Sequence, residues 1–304
     1  MKIIAVGKYI PENLISNYER AENFGRKKSF IDKKIGFRSL SVADKNESIR
    51  DMCMKAYSDL ISKVDIDVSG LEIITTVVQR PDQFMPNMSA IIHNCIGAEK
   101  NCMAFDIVHA CSGYAYALNI VNSMNVKYAL IFTADKYSEV VSENDENVAM
   151  IFADGATATL LSTEGNGYEI CDGDMGNLPA SWQCITGKDF INMNGAEIFR
   201  NASFEVPESI NKILKRNNLA KDDIDRIFLH QATKKIVDFL SFQLECPEKV
   251  SFCAEDYGNT GQSSLPVILS DIEDFSIYSH VILCGFGAGF SWGTVLLKYV
   301  SENY

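Results

Sequence analysis

Short, wholly apolar runs recur along this chain between segments with helical spacing, and they leave few folds open to it. Ile73-Ile74-Thr75-Thr76-Val77-Val78 and Tyr128-Ala129-Leu130-Ile131-Phe132-Thr133-Ala134-Asp135 are rich in β-branched and aromatic residues and lack polar alternation, the pattern of strands covered on both faces. Ahead of them Ile49, Met52, Cys53, Ala56, Tyr57, Leu60 and Ile61 return at intervals of three and four, which predicts an amphipathic helix. Alternation of the two patterns implies an α/β fold with helices covering the faces of a sheet.

The same reading carries along the chain. Residues 1–7 predict a first strand, 8–13 a turn, and 81–86 a loop ahead of a helix holding Ile91, Ile92 and Cys95. Residues 148–152 and 156–161 predict strands about the turn Ala153-Asp154-Gly155. Gly165-Asn166-Gly167 reads as a break between residues 1–164 and 165–304. Beyond it an irregular stretch runs to about Asn194, then a helix through Ile210, Ile213 and Leu214, then a strand at 227–229. A helix opens at His230-Gln231-Ala232-Thr233, the glycine-bearing loop 257–261 precedes another near Ser263, and 281–284 and 292–299 are the last strands.

At 47% hydrophobic and 22% charged residues, the 304-residue chain has the composition of a globular protein able to bury a large core. No apolar run approaches the roughly 18 residues of a membrane span, and the N-terminus reads as a strand rather than a leader, so the expectation is a soluble, cytoplasmic protein. Nine cysteines without a Cys-x-x-Cys pair, and four histidines without ligand spacing, argue against a disulfide framework and a structural zinc site. A net charge of -12 disfavours nucleic acid as a partner.

The apolar run 104–108 leads to Cys111, and Ser112-Gly113 opens a segment of helical spacing. A cysteine where a strand turns into a helix faces unpaired N–H groups and the positive end of the helix dipole, which predicts a lowered thiol pKa. His230 and Asn259 also sit at a strand end or in a loop beside glycines, and ligands gather outside the carboxyl ends of strands in α/β sheets. Singly, each has a plainer reading: a buried thiol, a hydrogen-bonded core histidine, a turn asparagine. Together they point to a site. His109 lies two residues before Cys111 and on a strand would share its side, as a substrate contact or a buried hydrogen-bonded histidine.

Asp106 to Leu118, Leu229-His230-Gln231-Ala232, Tyr257-Gly258-Asn259-Thr260 and Gly285-Phe286-Gly287-Ala288-Gly289-Phe290-Ser291-Trp292-Gly293 closely resemble β-ketoacyl-acyl-carrier-protein synthase III, of the thiolase superfamily. Ile35-Gly36-Phe37-Arg38 and Ile151-Phe152-Ala153-Asp154-Gly155-Ala156 extend the resemblance, in family order from end to end. It implies an α/β, five-layered αβαβα thiolase-like fold of two similar halves: residues 1–164 carrying the nucleophilic cysteine, and 165–304 carrying the histidine and asparagine. It also implies a homodimer and a catalytic triad of Cys111, His230 and Asn259. In the implied reaction Cys111 takes an acyl group from acyl-CoA or acyl-ACP, with the oxyanion held by the backbone N–H groups of Cys111 and Ala288. Decarboxylative condensation with malonyl-ACP follows, assisted by His230 and Asn259. No metal or redox cofactor is implied, the substrates being phosphopantetheine thioesters. The resemblance places Phe30, Lys34, Phe199, Arg200, Thr233, Lys235 and Phe286 along the phosphopantetheine path, and Met85 in the acyl pocket across the dimer.

The chain departs from the family pattern where coenzyme A would bind. Phe30 replaces a tryptophan, Glu146 stands where an arginine faces the adenine, Thr233 and Ala196 replace tunnel asparagines, and Lys34 and Lys235 replace arginines, losing bidentate phosphate contacts. Glu146 is expected to repel phosphate, which favours a carrier-protein donor. Arg200, Lys212, Lys215, Arg216, Lys234 and Lys235 offer a basic patch for an acidic carrier or are solvated helix faces. Acyl transfer to an oxygen, nitrogen or sulfur acceptor is the main alternative. A papain-like protease lacks its cysteine signature here, and a non-catalytic subunit would not need an intact triad.

Overall fold

The structure is a computed structural model that describes residues 1–302. β1 (Lys2–Tyr9) is followed by a small sheet of β2 (Leu14–Ser16) and β3 (Ser39–Ser41). Between these lie α1 (Asn17–Asn23) and a helical segment α2 (Lys28–Phe30) that widens through Ile31–Ile35. Next come α3 (Ile49–Lys63), β4 (Ile73–Val77), α4 (Met88–Ile96), β5 (Met103–Ile107), α5 (Gly113–Ser123), β6 (Tyr128–Asp135), α6 (Glu146–Ala149) and β7 (Gly155–Ser162). The remainder is β8 (Gly167–Asn177), β9 (Ile185–Gly187), β10 (Ile191–Met193), α7 (Gly195–Arg216), β11 (Arg226–Leu229), α8 (Lys234–Gln243), α9 (Ser264–Ser270), β12 (His280–Gly287) and β13 (Ser291–Val300).

Nine strands hydrogen-bond in the order β11-β12-β13-β8-β1-β7-β6-β4-β5. One pairing pattern occurs twice. β1 is antiparallel to β7, β7 to β6, and β6 is parallel to β4; β8 is antiparallel to β13, β13 to β12, and β12 is parallel to β11. The two sets join only where Lys2 and Ile3 of β1 meet Glu169 and Tyr168 of β8.

Hydrophobic burial then stacks the layers. Tyr114, Leu118 and Val121 of α5 and Leu265, Ile268 and Leu269 of α9 share one core with residues from both strand sets, including Ile131 and Leu283. On the far face of the first set Met52, Ala56 and Leu60 of α3 and Ile92 of α4 pack on Leu130 and Phe132. Beyond the second set Val206, Ile210 and Ile213 of α7 and Val237 and Leu240 of α8 pack on Ile227 and Ile282. The α-β-α-β-α succession is the expected five-layered architecture. Among the described residues no helix is long and apolar enough to cross a membrane.

Several local expectations change. Residues 148–152 form no strand: they are the end of α6 and a turn, with Phe152 in a single bridge to Asn259. Val148, Ala149 and Met150 are apolar because they are buried with Ile31, Phe37 and Leu40 beneath the N-terminal loops. The irregular stretch contains β8, whose Asp172, Gly173, Asp174, Gly176 and Asn177 hide a strand from propensity. Gly176 lies under the indole of Trp292, where a Cβ would come within 2.2 Å of the ring. α7 begins fifteen residues before Ile210 and runs through Pro207. β1 continues to Tyr9 in place of a turn at Lys8, and α8 starts at Lys234, leaving His230 to Ala232 in a loop.

Candidate active site

Cys111 lies just past β5 and just ahead of α5, whose N-cap is Ser112. The β12–β13 hairpin crosses this junction at backbone distance. A Cβ on Gly285 would sit 2.7 Å from the Cys111 carbonyl oxygen, and one on Gly287 would sit 3.0 Å from Cys111 Sγ; glycine alone permits the approach. His230 follows β11, and its backbone N–H donates to the Cys284 carbonyl of β12 (2.8 Å). Its Nδ1 is 2.7 Å from Ser264 Oγ at the start of α9, and its ring stands T-shaped to that of Phe286, with centroids 5.6 Å apart. Asn259 is held by Asn259 N–H to Ile151 O (3.0 Å) and Ala153 N–H to Asn259 O (2.8 Å). Its Oδ1 accepts from Gly261 N–H (2.8 Å), which turns the Nδ2 donors the other way.

Cys111, His230 and Asn259, at 5%, 1% and 3% exposure, line one cavity of about 530 Å³. Phe30, Lys34, Phe199, Thr233, Lys235 and Phe286 line it too. Arg200 does not: it is exposed on α7. A second cavity of about 310 Å³ reaches Cys111 and Ala288 and shares Phe152 and Ile185 with the first. Met85 lines neither and is 74% exposed.

The electrostatics overturn one expectation. Burial pushes the Cys111 thiol up to about 12, outweighing the backbone N–H that pulls it down, so the resting residue is a thiol rather than a thiolate. Burial also lowers His230 to about 3, leaving a neutral imidazole at neutral pH. Glu146 carries no free charge at the cavity: its carboxylate takes a two-pronged bond from Arg26, with Nη2 3.0 Å from Oε2, and its pKa is lowered by that partner. The expected repulsion of phosphate by Glu146 is thereby offset. The Arg26 guanidinium lies 5.2 Å over the Phe30 ring. Lys34 lies 5.7 Å from the same ring and Lys235 lies 5.0 Å over Phe199.

The surface cations divide. Lys212 pairs with Glu208, Arg216 with Asp172 and Asp174, and Lys234 with Asp238. Among the described residues Arg200, Lys215 and Lys235 have no ion pair, which shrinks the expected basic patch to those three. His109 is past the end of β5, not on a strand, with its ring tilted against that of Tyr116, centroids 4.4 Å apart.

Sequence reasoning missed Arg26, Ser264 and Asp135. Asp135 ends an apolar strand, and its carboxylate accepts from Gln79 N–H and Arg80 N–H (2.9 Å each) and from Gln262. An acidic residue closing a wholly buried strand was the available signal; Arg26 and Ser264 carried none. Among the described residues no group of three or more His, Cys, Asp or Glu is placed to hold a metal ion.

A layered thiolase-like α/β fold with a buried cysteine, histidine and asparagine on one cavity defines the class: an enzyme of the thiolase superfamily. The comparisons narrow it. Models of 3-oxoacyl-[acyl-carrier-protein] synthase III match residues 105–178, and of its C-terminal part residues 214–299. The chain is 33% identical to the β-ketoacyl-[acyl-carrier-protein] synthase III of Clostridium perfringens, covering 98% of both chains. It is 32% identical to that of Wolbachia pipientis wMel, with the same coverage. The crystal structure of the Aquifex aeolicus 3-oxoacyl-[acyl-carrier-protein] synthase III superposes with a TM-score of 0.91 at 27% identity, covering 98% of this chain and 99% of that one. The chain belongs to the β-ketoacyl-acyl-carrier-protein synthase III family.

Proposed function

We propose that this protein is an acyltransferase that loads an acyl group from a thioester onto Cys111 and condenses it with malonyl-ACP. The observation that carries the reading is the meeting of Cys111, His230 and Asn259 on one cavity in a chain of this family. In the first half-reaction the Cys111 S–C bond forms as the donor's thioester C–S bond breaks, and the Cys111 proton ends on the departing phosphopantetheine thiol. Negative charge on the carbonyl oxygen is met by the N–H groups of Cys111 and Ala288. In the second, malonyl-ACP loses carbon dioxide, and the neutral His230 and the Asn259 amide donate hydrogen bonds to its thioester oxygen as the enolate forms. The enolate carbon bonds to the acyl carbon, the Cys111–acyl bond breaks, and the sulfur takes up one proton from solvent, the single proton consumed by the decarboxylative step.

Phe30, Lys34, Phe199, Thr233, Lys235 and Phe286 are proposed to follow the phosphopantetheine arm, with no metal or redox cofactor in either step. Arg200 and Lys235 are proposed contacts for an acyl carrier protein. Residues 1–164 and 165–304 are proposed as the two like halves, on the strength of the repeated strand pairing. A homodimer through β5 is proposed because β5 ends the sheet while Phe84, Met85 and Val108 beside it stand 92%, 74% and 68% exposed; Met85 would then reach the partner's acyl pocket. Nine free cysteines suit a reducing compartment such as the cytoplasm. Release of carbon dioxide from malonyl-ACP, dependent on an acyl donor, is the expected result. Acyl transfer to a hydroxyl, amine or thiol without that release contradicts condensation.

A further inference from the structure

Ser112 is the N-cap of α5, yet its side chain caps nothing, although a serine there ordinarily accepts from an N–H of the first turn. Its hydroxyl is spent elsewhere: Ser112 Oγ lies 2.8 Å from Ser291 Oγ and 3.4 Å from His109 Nδ1. Ser291 Oγ in turn lies 2.7 Å from the Ala288 carbonyl oxygen. Both serines are buried, at 0% and 1% exposure.

The proton directions follow from one fixed end. A carbonyl oxygen only accepts, so the single Ser291 proton goes to Ala288. The Ser112 proton must then go to Ser291 Oγ, which leaves His109 Nδ1, at the longer distance, as a neighbour of the Ser112 oxygen. The chain reads Ser112 O–H to Ser291 O–H to Ala288 O, in one sense. It starts beside Cys111 and ends on the turn opposite. That turn is also held by the pairing of Gly287 with Ser291, and Ala288 lines a cavity together with Cys111.

We propose that Ser112 and Ser291 are positioning residues, which lock the Gly287-Ala288-Gly289 turn to the start of α5 so that the Ala288 N–H stays aimed at the oxyanion formed on Cys111. The proposal rests on the acyl-transfer reading above. Its consequence is selective: acylation, which builds an oxyanion, needs the lock, whereas alkylation of the same sulfur, which builds none, does not.

The test compares wild type with Ser291→Ala, Ser112→Ala and His109→Phe. It uses single-turnover acylation of Cys111 by an acyl-ACP, and iodoacetamide alkylation followed on the Cys111 peptide by mass spectrometry. A mispositioned donor costs less than the roughly 100- to 1000-fold loss for a deleted one. Ser291→Ala is therefore expected to slow acylation about 10- to 100-fold, Ser112→Ala less and His109→Phe least, with the acyl-ACP KM within about threefold of wild type. Alkylation rates should stay within about twofold of wild type. Equal losses in acylation and alkylation mean that the serines merely hold the cysteine in place, and overturn the proposal, as does unchanged acylation in Ser291→Ala. A wild-type Cys111 that alkylates but takes no acyl group from acyl-ACP or acyl-CoA overturns the underlying reading, and the proposal with it.

Discussion

At the scale of single residues, Cys111 is pulled two ways. The start of α5 and the nearby N–H groups favour the thiolate, while near-complete burial disfavours any charge, and burial wins, setting the thiol at about 12. The reactive form is the deprotonated one, so its fraction rises with pH until the pKa is reached. Alkylation of Cys111 by iodoacetamide should therefore accelerate about tenfold per pH unit from pH 6 to 9, with no plateau; a plateau below pH 8 means that the helix dipole prevails. Gly287 gives a second expectation. A methyl group there would lie 3.0 Å from both Cβ and Sγ of Cys111. Gly287→Ala should cut Cys111 acylation at least tenfold while costing only about 1–3 kcal/mol of stability in urea unfolding.

At the scale of elements, the site depends on connections between segments far apart in sequence. Asp135, at the end of β6, accepts from two N–H groups just past β4 and from Gln262 just ahead of α9. Tyr137 donates to the other side of Gln262 (2.9 Å). Asp135→Asn turns one acceptor into a donor facing a donor, and should cost about 1–3 kcal/mol in urea unfolding. Burial raises the Asp135 pKa from 3.8 to about 7, so between those values the folded state binds more protons and this group's contribution to stability falls as pH rises. The advantage of wild type over Asp135→Asn should shrink from pH 4 to pH 7; an advantage that grows would show that the three donors dominate.

The elements were legible in sequence where burial produced continuous apolar runs, as in β4, β6 and β12, and where helical spacing was clean, as in α3. β8 was not, because its polar and glycine residues answer to Trp292, Arg216 and Asn217 rather than to strand propensity. The Val148–Met150 run misled because burial beneath loops makes residues apolar without making a strand. At the site, the Cys111, His230 and Asn259 positions were readable from glycine-flanked strand ends. Ser264, which holds His230, was not, since a serine 34 residues away leaves no local mark. The lowered Cys111 pKa failed because a dipole argument made from sequence has no access to desolvation.

At the scale of the whole molecule, two strand sets with the same pairing pattern enclose α5 and α9, and the sheet ends on β5. An open strand edge flanked by Phe84, Met85 and Val108 invites another chain. Wild type should sediment as a dimer in analytical ultracentrifugation and Phe84→Arg with Val108→Arg as a monomer with faster amide exchange in β5; a monomeric wild type, or a variant that sediments as wild type, rules this edge out as a dimer interface.

The most direct measurement of the central claim is an intact-mass chase. Protein incubated with acyl-ACP or acyl-CoA should gain one acyl group, mapped to Cys111 and absent in Cys111→Ala, and addition of malonyl-ACP should discharge it as a β-ketoacyl-ACP with release of carbon dioxide. His230→Ala and Asn259→Ala should take up the acyl group and then hold it when malonyl-ACP is added. An acyl group that never appears on Cys111, or that leaves both variants as fast as it leaves wild type, would contradict the account.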